Sequence, residues 1–455
     1  MDCALGTFGD VRLDKGGRRS SKMVSRKTVC LRRLGAARRG ELRAGRFLAN
    51  PKVTAEKIIA GWADRTVAAV AGRHVLAIQD TTEVRVPTTA QRRRGLGPIG
   101  HGNIHGVLVH AMLAVDAATG ACLGLVGGQV WTRPGVVATP HQDRPPAERE
   151  SARWLATAEQ AKTVLASAGM VTVIDDREGD IYAKWASVPS ASCHLLTRAS
   201  SDRRLAGGGM LFAAAAGFAA AGRRAIVLPA SEPGRSKRSA LLELRHGEVE
   251  IRRPHGVWDR HLPAAVGLRL IEVQEIDPPA DAEPLHWRLL TTHTIADAEA
   301  AWRIVGWYRL RWVVEQLFRV MKSQGLQLED SQIGSAERLV KLAAIATKAA
   351  CIDIQLVQER DGKHRLPAAH VFSEPEIDTL AALRPTLEGR TERQQNPHPP
   401  RSLAWAAWCI ARLGGWNCYY KPPGPITFRR GMEQFHAIHR GRELEMRLQR
   451  EVRIP

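Results

Sequence analysis

Short apolar runs dominate residues 74–198. The run 74–86 is β-branched and apolar, with Asp80 set in its middle. Runs 104–115 and 122–131 follow, separated by a turn at 116–120 rich in small and polar residues. The run 171–174 leads straight into Asp175, Asp176, Arg177 and Glu178, and 192–197 is a further candidate strand. A helical pattern over 147–168 lies between them. Strands on both sides of a helix predict a mixed α/β sheet flanked by helices. Five more candidate strands (223–229, 239–245, 248–252, 266–276 and 287–292) predict a mostly β insertion at about 200–292. A long helix is expected from about residue 296 to 324, with Gly325 as its cap, and more helix to about 357. Residues 384–400 are polar and Pro-rich and read as a linker, and 402–413 reads as an apolar helix.

Placed on a helical wheel, the segment around 308–322 is amphipathic. Tyr308, Arg311, Glu315, Arg319 and Lys322 fall within about 80° of arc, while Leu310, Val313, Val314, Leu317, Val320 and Met321 cover the opposite side. A solvated face usually mixes several Glu with its Lys and Arg. A lone carboxylate among phosphate-binding groups suits a metal ligand beside a nucleic-acid backbone. Asp80 and Asp176 are the other chemically pointed acids. Each interrupts or ends an apolar strand, where an unpaired carboxylate is costly. A capping or turn role is the ordinary alternative for either one, and Asp175 competes with Asp176 because a one-residue shift turns a strand side chain to the other face.

Charge narrows the partner. The 455 residues carry 66 Lys and Arg against 46 Asp and Glu, a formal net charge of +20. Residues 1–50 alone hold thirteen basic residues and four acids, so much of the excess sits at one end. Apolar residues interleave with them, which predicts short basic amphipathic helices, with Thr54 positioned to cap the next helix. Phosphate neutralisation is the natural use of such a segment; a solvated basic arm is the bland alternative. Seven cysteines without a C-x-x-C pair argue against a disulfide framework and a zinc site. His101, His105 and His110 are read as loop and strand histidines rather than zinc ligands. The Ala-rich stretch 211–222 is too short to span a bilayer, and the first ten residues lack a secretory pattern, so a cytoplasmic protein is expected. Gly207, Gly208 and Gly209 lack a phosphate-loop register. Trp405 and Trp408 suit either a core or a dimer interface.

The spacing Tyr308-x2-Arg311-x3-Glu315-x6-Lys322 resembles the Tyr-Arg-Glu-Lys pattern of the transposases of insertion-sequence family four, the group that includes the transposon-five enzyme. Asp80, within Ile78-Gln-Asp-Thr-Thr82, and Asp176, within Asp176-Arg-Glu-Gly-Asp180, are similar to that family's two catalytic aspartate motifs. Further likeness runs through Gly9 to Asp14, Trp131 to Pro134, Pro284 to Leu290 and Ala411 to Gly415. Departures are Arg319 where a relative has Lys, and Gly179 inside the second motif.

The resemblance implies an RNase H-like mixed sheet flanked by helices, with a β insertion and helical N- and C-terminal regions. Its divisions would be a basic DNA-end-binding region at 1–70, a catalytic core at 71–383, a linker at 384–400 and a C-terminal dimerisation region at 401–455. It implies Asp80, Asp176 and Glu315 as the catalytic, metal-binding acids. Tyr308, Arg311, Arg319 and Lys322 would contact the DNA backbone, and Trp287 would hold a flipped base. Arg198, Arg18, Arg19, Arg26 and Lys27 complete the expected DNA contacts. Three carboxylates and a scissile phosphate form an all-oxygen environment suited to two Mg²⁺ ions, with Mn²⁺ able to substitute. The expected reaction is cut-and-paste transposition, through a hairpin, by a homodimer on double-stranded DNA at the bacterial nucleoid. A catalytically inactive DNA-binding remnant or regulator, and a metal-dependent nuclease without strand transfer, are the alternatives.

Overall fold

The computed structural model describes residues 6–24, 38–86, 95–100, 104–133, 150–228, 238–255, 257, 259, 261–280 and 283–452. Helices α1 (Val11–Val24), α2 (Arg38–Ala49), α3 (Ala55–Ala60) and α4 (Thr66–Ala69) precede the sheet. Thr54 caps α3 as its position suggested, accepting a hydrogen bond from the Lys57 N–H at 3.3 Å.

The sheet begins with β1 (His74–Arg85), the two-residue β2 (Gly97–Pro98), β3 (His105–Asp116) and β4 (Cys122–Trp131). Helix α5 (Ala152–Val164), β5 (Met170–Asp175), a 3-10 turn (Arg177–Gly179), α6 (Tyr182–Ser187), β6 (Cys193–Arg198) and α7 (Leu211–Gly217) follow. Then come β7 (Ala220–Leu228), β8 (Arg238–Arg252), β9 (Ala265–Ile276) and β10 (His286–Thr291). Among the described residues these form one ten-stranded sheet, ordered β3-β1-β5-β6-β10-β9-β8-β7, with β2 and β4 both paired to β3. The β1–β5 and β5–β6 pairs are parallel and the rest antiparallel.

The strands after residue 200 extend the sheet that carries Asp80, because β10 pairs with β6. One expectation changes here. The two strands expected around Gly247 are one, β8. A Cβ at Gly247 would lie 2.3 Å from the Phe218 ring, so that ring occupies the place of a side chain and the strand runs on without a break.

Strand β1 is central because both its faces are buried. Leu76 and Ile78 join one apolar cluster, Val75 and Ala77 the other. The first cluster is covered by α8 (Ala298–Arg309), α9 (Trp312–Arg319) and α10 (Ala336–Glu359). The second is covered by α5, α6, α11 (Glu374–Leu387), α12 (Leu403–Leu413) and the first half of α13 (Pro425–Val452). Trp405 and Trp408 lie in that second core at 2% and 4% exposure, which settles them as packing residues of this fold rather than surface anchors. Residues 384–400 hold the last turn of α11 and a 3-10 turn, and Asn396 donates to the Trp405 carbonyl. Among the described residues, no helix is long and apolar enough to cross a membrane.

Candidate active site

Alternation along two parallel strands decides which acids share a face. Ile78 pairs with Ile174 in the β1–β5 register, and Asp80 and Asp176 each lie two residues beyond that pair. Both therefore belong to the side of the sheet that α9 covers, where the parallel pairing of the two adjacent strands ends. Asp175 falls on the opposite face. It is fully buried and bonded to Lys184, which removes it as the alternative ligand. Asp176 instead ends the strand and caps the 3-10 turn, accepting from the Glu178 N–H at 2.8 Å.

The expected long helix is three pieces. Between α8 and α9 the N–H groups of Leu310, Arg311, Val313 and Val314 reach only three residues back, so the chain tightens to 3-10 spacing. Beyond α9 it widens into a π turn, Val320–Gln324, closed by Gly325. Because the phase is reset, the single polar stripe does not survive. Tyr308 is buried at 5% exposure, while Arg319 projects to solvent with its guanidinium 4.6 Å from the Trp312 ring centre. Arg311 and Glu315 keep their four-residue spacing across the 3-10 segment.

Arg311 ties the site together. It donates to Asp80 Oδ2 at 2.8 Å and, through its other terminal nitrogen, to Glu315. Asp80 also accepts from the Thr81 N–H at 2.7 Å. Burial pushes the Asp80 carboxyl up to about 7, and the charges of Asp176 and Glu315 push the same way against Arg311 and the Thr81 N–H. Asp80 thus senses both other acids. Trp287, on β10, meets Tyr308 edge to face at 5.4 Å. The Tyr308 hydroxyl sits between Arg198 and Arg311, with burial raising its pKa. Lys322, on the π turn, is partly desolvated and lies within electrostatic reach of Glu329, Arg85, Glu83 and Asp80. A cleft of about 420 Å³ is walled by Thr81, Thr82, Trp131, Glu150, Trp154 and Glu178, which include chain neighbours of Asp80 and Asp176 but neither acid.

The structure therefore brings together Asp80, Asp176, Glu315, Arg311, Tyr308, Trp287, Arg198 and Lys322. Arg18 and Arg19 lie on α1, with their side chains outside the described residues, as are Arg26, Lys27 and His101 altogether. His105 and His110 are strand residues of β3. The sequence reading passed over Lys184, a buried lysine inside the apolar segment Ile181 to Trp185. A cation in such a run was the available signal for a buried ion pair.

Residues 235–352 match the family model described as the transposase DDE domain. This part of the chain is similar to the domain of DDE-type transposases. The matched span contains Trp287, Tyr308, Arg311, Glu315 and Lys322, and Asp80 and Asp176 precede it. Among solved structures, the chain is similar to a piggyBac transposase seen in a synaptic complex with hairpin DNA. That similarity has a TM-score of 0.36 and 8% identity, over 83% of this chain and 56% of that one. The chain thus spans little more than half the length of that relative.

DDE transposase domains in general depend on a divalent metal. The donor set here fits a hard cation: three carboxylates and no sulfur or imidazole. Burial, with the charges of Asp176 and Glu315 added to it, lifts Asp80 to about 7, and a dication beside it would favour its charged form. In the present arrangement Arg311 supplies the positive charge between Asp80 and Glu315. Among the described residues no three His, Cys, Asp or Glu side chains are grouped to hold a metal ion.

Proposed function

We propose that the chain is an insertion-sequence transposase of family-four type that cuts DNA at the ends of its element and joins the freed ends to target DNA. The observation that carries this reading is that Arg311 bonds both Asp80 and Glu315 while the charge of Asp176 acts on Asp80 and Arg311. In this reading the three acids would hold two Mg²⁺ ions, or Mn²⁺ in their place. Those ions, when bound, would activate a nucleophile and stabilise the leaving oxygen of a phosphodiester.

The chain's own residues would do the rest. Arg311, once released from the carboxylates, Lys322 and Arg319 would bind phosphates as charge-assisted donors, and Tyr308 and Arg198 would fix the strand beside them. Trp287 would stack on a base extruded at a hairpin intermediate, offsetting an unstacking cost of a few kcal/mol. The basic helices of residues 1–70, with Arg18, Arg19, Arg26 and Lys27, would read the element's ends, and residues 71–383 would form an RNase H-like core. Residues 384–400 would connect it to a dimerisation region at 401–455, giving a homodimer on DNA at the nucleoid.

Single changes of Asp80, Asp176 or Glu315 to Ala are expected to abolish Mg²⁺-dependent cleavage of linear duplex carrying the sequences that flank the gene, while leaving gel-shift binding within a few-fold. Cleavage retained by Glu315→Ala refutes the assignment. Absence of joined products with wild-type protein reduces the chain to a nuclease.

A further inference from the structure

Behind the two candidate catalytic aspartates, on the other face of the sheet, lies a buried polar network. Asp175 and Lys184 are both fully buried and bonded to each other. Asp175 Oδ1 accepts from the Gln79 side-chain amide at 2.6 Å, and Oδ2 accepts from the Thr197 hydroxyl at 2.9 Å. Lys184 also donates to the Gly179 carbonyl at 2.6 Å, inside the 3-10 turn that Asp176 caps. The Gln79 amide nitrogen makes a second bond, to the Trp154 carbonyl at 3.2 Å. Its nitrogen being the donor, its oxygen must accept from His110 Nε2, 3.1 Å away. That assigns the His110 tautomer and leaves Nδ1 to accept from the Thr81 hydroxyl at 2.8 Å.

The topology of this network is specific. Asp80 stands between Gln79 and Thr81, both of which belong to it. Asp176 stands between Asp175, which belongs to it, and the turn whose Gly179 carbonyl Lys184 holds. The Gln79–Asp175 bond joins the two strands right beside the acids, whereas the His74–Thr172 bond joins them at their other end. A buried ion pair adds little net stability compared with apolar residues of the same volume. What a fully bonded one does supply is a fixed geometry.

We propose that Gln79, Asp175 and Lys184 are positioning residues that set the separation of Asp80 and Asp176 from behind the sheet. This rests on reading those two aspartates as catalytic. The network touches neither DNA nor the reacting atoms in that reading; it acts through the backbone of β1 and β5.

The test uses Gln79→Met, close in volume and without the amide, and the paired change Asp175→Asn with Lys184→Met, which neutralises the ion pair without stranding a charge. Three readouts are taken on full-length protein: gel-shift affinity for the flanking-sequence duplex, Mn²⁺ affinity by electron paramagnetic resonance without DNA, and the first-strand nicking rate across Mn²⁺ concentration. The expected result is unchanged duplex affinity, a 10–100-fold loss of nicking, and a tenfold or greater rise in the Mn²⁺ needed for half-saturation, typical of residues that orient ligands. A purely structural role would lower duplex affinity and melting temperature together without shifting the Mn²⁺ profile, and overturns the proposal. So does nicking and Mn²⁺ affinity within twofold of wild type in either folded variant. If Gln79→Met does not fold, Thr81→Val, which cuts the His110 link at its other end, is read against the same limits. Asp176→Ala is run alongside: if it still nicks, the catalytic reading itself fails, whereas its loss beside a wild-type Gln79→Met sinks only the positioning role.

Discussion

Asp353 is a buried acid with an incomplete set of partners, and its effect on stability can be worked out. It lies on α10 at 2% exposure, and its Oδ2 has no hydrogen-bond partner. Burial pushes its carboxyl from the ordinary 3.8 up to about 8, against the pull of Arg429 on α13. The sign follows from proton linkage. The folded state keeps a proton that the unfolded chain releases above pH 3.8. Stability therefore falls as pH rises from about 4 to about 8 and is flat beyond. At pH 7 the penalty is about 1.4 kcal/mol for each of roughly three pH units, or about 4 kcal/mol.

Asp353→Asn keeps the shape and removes the titration. Its amide leaves a polar atom in the same place, at a cost of about 1–3 kcal/mol. The net gain at pH 7 is then roughly 1–3 kcal/mol, larger still at pH 8, and near pH 4 the variant is no more stable than wild type. With an unfolding entropy near 2 cal/mol/K per residue, each kcal/mol moves the melting temperature by only about 1 °C if the chain unfolds as one unit. Urea titration is therefore the better assay, run on both proteins at pH 5, 6, 7 and 8. The quantity of interest is the difference between the two proteins at each pH, in which every other titrating group cancels. A difference that stays constant across the series, or a variant less stable than wild type at pH 8, refutes the reasoning and means that Asp353 is charged and paired with Arg429.

Three other outcomes are expected. His74, His194 and His293 cluster where β1, β6 and the segment after β10 meet, with His194 stacked on His293 at 4.0 Å. Burial, then the charges of His194 and His74, hold His293 down at about 3, and burial lowers the other two as well. Their contribution is present above the ordinary pKa of 6.5 and is lost as pH falls below it, so His194→Phe should flatten the drop in urea midpoint between pH 7 and pH 5. Gly179→Ala places a Cβ 2.3 Å from the Asp175 Cβ and 3.0 Å from Lys184 Nζ, so about 1–3 kcal/mol of overpacking cost is expected by urea unfolding, and a wild-type midpoint would show that the turn has room. Trp287→Ala should slow hairpin formation more than first-strand nicking in a gel assay; equal slowing of both steps removes the base-stacking role.

Much of the sheet was legible because its pattern is local. Strand β4 was expected over the residues it occupies, and β1 falls one residue short of its expected end, since a nearly continuous apolar run is written into the chain. The partner of each strand is not local. Nothing around residues 289–291 states that they pair with 196–198, so where the later strands join the sheet was not legible. The helix carrying Glu315 misled for a different reason. Its break at Leu310 and Arg311 involves no proline or glycine, so a wheel drawn from Tyr308 carried its phase through a change of pitch. That error matters little at Glu315, four residues from Arg311, and more at Arg319, which ends at the surface rather than among the acids.

Arg311 shows what a one-dimensional pattern can and cannot hold. Its proximity to Glu315 follows from spacing on a helix. Its bond to Asp80 spans 231 residues and depends on β1 lying beneath α9, a fact of packing. In the sequence it stood as a phosphate-binding cation beside one acid; in the fold its guanidinium bridges two, with a third acid sensed by the same Asp80. A planar fork suits that double contact where a lysine, a single point charge, would hold one carboxylate at a time. Any cation or phosphate entering this site must therefore exchange with bonds that Arg311 already makes. The chemistry at Asp80 begins from a carboxyl titrating near 7 because of its burial and neighbours, rather than from an ordinary surface acid.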